Sequence, residues 1–237
     1  MSFTVEYLKD HSNLPSKRGN LELLYEFAHQ STMAEVMACL ESITDDLENS
    51  PEEFVAMCGI LGFCVQKKSD VVEALLRVEA YSEHSSWRIR EAVAMGIQEL
   101  MGGNFKSVLE VMEVWSGGSA LKQRAIVAGL CEPCVLNEEV IVQATFKHLK
   151  TFTLSFKGWE NRIDDDQKIL RQALGYAWSV AVVASPAFGK AEFENLIREP
   201  NKHVQWIVKN NLKKKRLEKM DLEWTQKMQK IGALNVT

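Results

Sequence analysis

Proline is scarce in this chain, with five in 237 residues, and glycine is gathered into a few places, chiefly MGGN at 101–104 and SGGS at 116–119. So few breakers leave long stretches free to stay helical. No segment shows the period-two alternation of a half-buried strand, so a sheet is not expected. No run of about 18 uncharged apolar residues is present, which argues against a membrane span. Cysteine is sparse and odd in number, at five, and the opening MSFTVEYLKDHSNLPSKRGN has early acidic residues and no apolar core of signal-peptide length. Free thiols in a reducing compartment are the expectation, and with them a cytoplasmic protein. The net charge is −4, so the molecule is no polycation, and an anionic partner would have to meet a local patch.

Several chemical signatures are missing too. SGGS and MGGN lack the preceding strand and the following Lys-Ser/Thr of a phosphate-binding loop, and they read as hairpin turns. No G-x-S-x-G elbow occurs. LCEPCVL (129–135) spaces Cys131 and Cys134 as C-x-x-C, but no second close pair of cysteines or histidines completes a zinc set, and His148 and Cys64 stand alone. Pro133 makes this a helix end, so neither metal nor cofactor is expected. Met33, Met37 and Met57 sit at helical spacing and read as core.

What is present is helical periodicity almost everywhere. SPEEF (50–54) offers Ser50 as N-cap, Pro51 at the first helical position and Glu53 as the partner of a capping box. Asn137 before Glu138 and Glu139, and Asp164 to Asp166, mark two further starts, with acids placed to suit the helix dipole. Four segments share one outline: SSWRIREAVAMGIQEL (85–100), SALKQRAIVAGL (119–130), QKILRQALGYAWSVAV (167–182) and NKHVQWIVKNNL (201–212). Their starts lie some 30 to 50 residues apart with another helical segment between each pair, the mark of stacked helical hairpins. The outline resembles HEAT repeats. The expected fold is all-α, an α-solenoid of HEAT/ARM-like antiparallel helix pairs, with a globular helical bundle as the alternative. One domain over 1–237 is expected, with capping helices over 1–66, repeats over 67–217 and a capping helix over 218–237.

On the helix beginning at Trp87, the residues Ile89, Val93, Gly96, Ile97 and Leu100 fall on one stripe and read as core. Trp87, Glu91 and Gln98 fall opposite. An aromatic face one turn from a carboxylate can attract and stabilise positive charge, although in a stacked array Trp87 could equally pack under a neighbouring hairpin. SSWRIRE, VWSGGSALKQRAIVAGL and ILRQALGYAWSVAVVASP together resemble the HEAT-repeat alkylpurine DNA glycosylases of bacterial DNA alkylation repair, over about residues 80–200. The resemblance implies a catalytic set of Trp87, Glu91 and Tyr176, with Arg124 on nucleic acid. Tyr176, or else Trp178, stands for the family's second tryptophan, with Trp178 otherwise a nucleic-acid contact. Glu91 and Tyr176 depart from the family's Asp and Trp. Glutamate is one methylene longer than aspartate, and catalysis depends on close placement.

The C-terminal NKHVQWIVKNNLKKKRLEK (201–219) concentrates cations around a tryptophan. Read as one helix over 202–217, it packs through Val204, Ile207, Val208 and Leu212. Lys202, Lys209, Lys213 and Arg216 align on another side, with Trp206 at the edge. Such a row can follow a phosphate backbone, and it also suits a polar outer face on a last repeat. The sequence therefore supports a non-catalytic repeat protein that binds a partner on its concave surface, with nucleic acid (possible double-stranded DNA) as the leading partner. A DNA glycosylase excising alkylated purines is the second reading, and a protein or peptide scaffold the third.

Overall fold

The computed structural model describes residues 2–159 and 162–234, the last two by backbone alone. Among the described residues the regular structure is entirely helical. In chain order the α-helices are α1 (Val5–Asp10), α2 (Leu21–Gln30), α3 (Met33–Glu41), α4 (Pro51–Gln66), α5 (Val71–Val78), α6 (Trp87–Trp115), α7 (Ala120–Leu130), α8 (Glu139–Ser155), α9 (Asp165–Ala184), α10 (Pro186–Ile197), α11 (Lys202–Leu212), α12 (Lys215–Met220) and α13 (Leu222–Leu234). Short 3-10 turns occupy Glu79–Glu83 and Phe156–Gly158. The chain divides into two compact units, Met1–Val114 and Trp115–Thr237.

Several helix starts follow local chemistry, with departures at α4 and α8. Asp164 caps α9 and forms a full capping box with Gln167, and Ser50 caps α4 by accepting the Glu53 amide, with Pro51 in the first turn. The Glu53 carboxylate does not close a box at Ser50. It is 1% exposed and instead takes the Arg88 guanidinium at 2.9 Å and the Ser86 hydroxyl. At α8 the capping residue is Glu138, without a side-chain bond. MGGN is not an open hairpin loop: the helical trace of α6 runs through it and is interrupted at Asn104 (φ −123°, ψ 76°), whose Oδ1 accepts the Ser107 amide and starts the next helical segment.

In the first unit, α2, α4 and α6 lie side by side in the same direction with a nearly constant register. Gln66 on α4 bonds Ser31 after α2, 35 residues away, and Phe27 of α2 faces Gly62 of α4. Glu53 of α4 meets Arg88 of α6, again 35 residues away, Cys64 faces Gly96, and Lys68 reaches Glu99, 31 residues on. α3 runs back along α4, with Leu40 against Gly59 and Val36 against Gly62. A Cβ on Gly59 would stand 2.8 Å from the Leu40 backbone nitrogen, so only glycine permits this helix contact. The expected core stripe of α6 is buried from Ile89 to Leu100.

The second unit repeats this construction. α9 lies between α7 and α11 and packs on α8 and α10. Arg171 meets His203 and Ser179 meets Asn211, both 32 residues apart, so α9 and α11 run in the same direction. α8 and α10 do likewise, with Phe146 on Phe188 and Lys150 on Glu192. α10 and α13 continue the row through Lys190–Asp221 and Glu194–Trp224, 31 and 30 residues apart. Trp178, Phe152, Phe156 and Phe193 fill the middle.

Candidate nucleic-acid interface

The basic segment is not one helix. α11 ends at Leu212, whose carbonyl is taken by the Gln229 side chain at 3.0 Å, and the extended Lys214 starts α12. The expected packing face of α11 is buried at Val204, Ile207, Val208 and Leu212. Lys202 and Lys213 are exposed, and Trp206 and Lys209 are half-buried. Because of the break, Arg216 leaves the α11 row and arrives over α9.

There it meets Tyr176, which is 39% exposed. The Arg216 guanidinium carbon lies 4.4 Å from the Tyr176 ring centroid, and Nη2 donates to the phenol oxygen at 2.8 Å. Lys214 Nζ lies 5.5 Å from the same ring. One turn back on α9, the Arg171 guanidinium sits 4.5 Å from the Trp206 ring centroid. Gly175 lets that indole approach: a Cβ there would be 2.8 Å from Trp206 Cζ3. The aromatic rings of this face therefore hold cations and are not open platforms for a base.

These cations are held without carboxylates. Several lysines elsewhere are matched with carboxylates: Lys9 with Glu52, Lys67 with Glu73, Lys68 with Glu99, Lys150 with Glu192, Lys157 with Glu199, Lys168 with Asp165 and Lys190 with Asp221. Among the described residues, no carboxylate pairs with Arg171, Lys213, Lys214 or Arg216. Rings, a phenol and an imidazole fix two of these guanidinium groups while leaving their charge unneutralised. Burial alone lowers the Arg171 guanidinium below its usual range.

His203 is 5% exposed and wedged between Phe156, at 5.8 Å between ring centroids, and Arg171. Arg171 Nη1 lies 2.9 Å from His203 Nδ1. A guanidinium only donates, so Nδ1 accepts and the proton of the neutral ring sits on Nε2. That Nε2 is buried without a partner. Desolvation first, then Arg171 and Lys202, hold the imidazole below the usual histidine range.

The residues carried over by resemblance divide between the units. Trp87 and Glu91 belong to the first, Arg124, Tyr176 and Trp178 to the second. Trp87 is 54% exposed, carries the Arg88 guanidinium at 4.7 Å from its ring centroid, and lines a cleft of about 1080 Å³ with Lys17, Asp46, Glu53 and Arg90. Glu91 is half-buried one turn along α6 and is not among the residues lining that cleft. Arg124 is half-buried on α7. Trp178 is 0% exposed and donates Nε1 to Thr153 Oγ1 at 2.9 Å, so it belongs to the core and not to the exposed face. Among the described residues no group of three metal-ligating side chains occurs, and no helix is long and apolar enough to cross a membrane. Sequence reasoning passed over Arg171, His203 and Gly175. The signal that could have found them is the glycine one turn after Arg171, since a close approach at that spot leaves room for a ring from a neighbouring helix. No protein-family model, curated protein or solved structure matches the chain.

Proposed function

We propose that this chain is a non-catalytic helical-repeat scaffold of HEAT type that binds nucleic acid through the exposed side of α9, α11 and α12. The repeat reading is supported by the parallel helices of each unit, which meet their successors 30 to 35 residues on. The binding reading is carried by one observation: Arg171 and Arg216 are held by aromatic and neutral partners, so no carboxylate neutralises their charge. Lys202, Lys209, Lys213 and Lys214 extend the field. A guanidinium stacked on a ring loses less freedom when it meets a phosphate than one free in solvent. Contacts of this type position a backbone and carry no base sequence.

The same rings weigh against the glycosylase reading. Expulsion of a cationic alkylated purine calls for aromatic faces open to it, whereas Tyr176 already holds Arg216 and Lys214, and Trp87 already holds Arg88.

The test is anisotropy of a labelled 20-base-pair duplex between 50 and 300 mM salt. About four phosphate contacts give a slope of log K against log salt on the order of −4. Neutralising Lys202, Lys209, Lys213 and Arg216 to glutamine flattens that slope toward zero. No binding at low salt would leave a protein or peptide as the partner and sink the proposal.

A further inference from the structure

We propose that the cationic face is proton-gated, with His203 as the gate: neutral His203 holds Arg171 back, and transfer of Arg171 to a phosphate lets His203 take a proton. The inference rests on the nucleic-acid reading of that face. Its basis is the 2.9 Å contact from Arg171 Nη1 to His203 Nδ1, which exists only while Nδ1 keeps its lone pair. A proton on Nδ1 would set two donors and two positive charges against each other. Arg171 then leaves the imidazole, and an anion in front of the face is the partner that compensates both groups.

The surroundings of His203 supply no rival acceptor for this proton among the described residues. α9 contributes Arg171, and Asp165 of its first turn is held by Lys168 at 2.6 Å. α11 contributes Lys202 beside the ring. The 3-10 turn before Trp159 contributes the Phe156 ring, and its Lys157 is paired with Glu199 at 3.0 Å. From α10 and α8, Lys190 goes to Asp221, Glu194 to Trp224, and Glu192 to Lys150. α13 meets α11 at the far end, where Gln229 reaches the Leu212 carbonyl. The charges that act on His203 are those of Arg171 and Lys202, both positive, and an incoming phosphate brings a negative charge to the pair.

Binding and protonation then favour each other, so affinity rises as pH falls through the His203 titration. One proton limits the gain to about tenfold per pH unit. The experiment measures anisotropy of rhodamine-labelled oligothymidylate from pH 8 to pH 5.5 at constant ionic strength, because thymine does not titrate there. Wild type is expected to tighten about tenfold across this range, within the one-proton limit. His203→Gln, which keeps an acceptor for Arg171 but cannot titrate, is expected to show no such rise. Proton NMR of the wild-type imidazoles gives a second readout: the His203 resonance should titrate at higher pH with the oligonucleotide bound. Binding that is flat with pH overturns the gate and leaves the nucleic-acid reading standing. An equal rise in His203→Gln, or an unmoved His203 titration, also overturns it. No binding of the oligonucleotide at any pH, together with no binding of the duplex at low salt, removes the underlying reading as well.

Discussion

Glu53 illustrates how a single side chain can be diverted from a local role. Three residues after Ser50 it fits the pattern of a capping box, yet its carboxylate turns inward to Arg88 and Ser86, while Arg88 also donates to the Ser16 carbonyl at 2.7 Å. The partner lies 35 residues away, and nothing in SPEEF announces it. Removing one member of such a buried pair strands a charge, so Arg88→Met is expected to cost about 3–5 kcal/mol in urea unfolding. Glu53→Leu together with Arg88→Met is expected to recover much of that loss, because an apolar pair carries no desolvation penalty. Equal destabilisation by the single and double variants would refute this account. The thiols give a second expectation at this scale. Burial pushes Cys39 and Cys64 up to about 12 and raises Cys58 and Cys131 as well, whereas Cys134 is exposed. A thiol reagent at pH 8 is expected to modify one of the five free cysteines in the native protein, and Cys134→Ser to abolish that reaction.

At the scale of the element, the buried stripes of α6 and α11 were legible because 3.6-residue periodicity is a local property. The break after Leu212 was not. Lys213-Lys214-Lys215 contains neither glycine nor proline, and the terminal carbonyl is satisfied by Gln229 of another helix. That break moves Arg216 from the α11 row to Tyr176, so the helical wheel placed it in a row that it does not join. The joint between α9 and α11 is likewise set by a contact across elements. Gly175→Ala places a methyl 2.8 Å from Trp206 Cζ3 and 3.4 Å from Asn210 Cβ. The indole must lift from α9, and Arg171 loses its support. The expected result is a loss of about 1–3 kcal/mol in stability, as for overpacking elsewhere, and weaker duplex binding. Unchanged stability and binding would mean that the Trp206 seat is not needed.

At the scale of the whole molecule, the repeat outline was visible where arginine, amide and small residues recur, in four segments from 85 onward. It was not visible before residue 66, although α2 and α4 there keep the same 35-residue register as α4 and α6. Stacking requires an apolar stripe and a few close approaches, such as Gly62 under Phe27, and many sequences provide them without sharing text. The same limitation applies to the site. Loose similarity brought Trp87, Glu91, Arg124 and Tyr176 to attention, but it could not show that Tyr176 and Trp87 already carry cations of this chain. On the proposed reading, this face meets phosphate and is indifferent to the base. The protein is therefore expected to bind alkylated and unmodified duplexes with equal affinity. In tenfold excess over alkylated DNA it is expected to release no free purine by chromatography. Release above the blank that disappears in Glu91→Gln would reverse the assignment, because only a carboxylate acting on the sugar or on water ties base loss to that residue while the phosphate contacts stay in place.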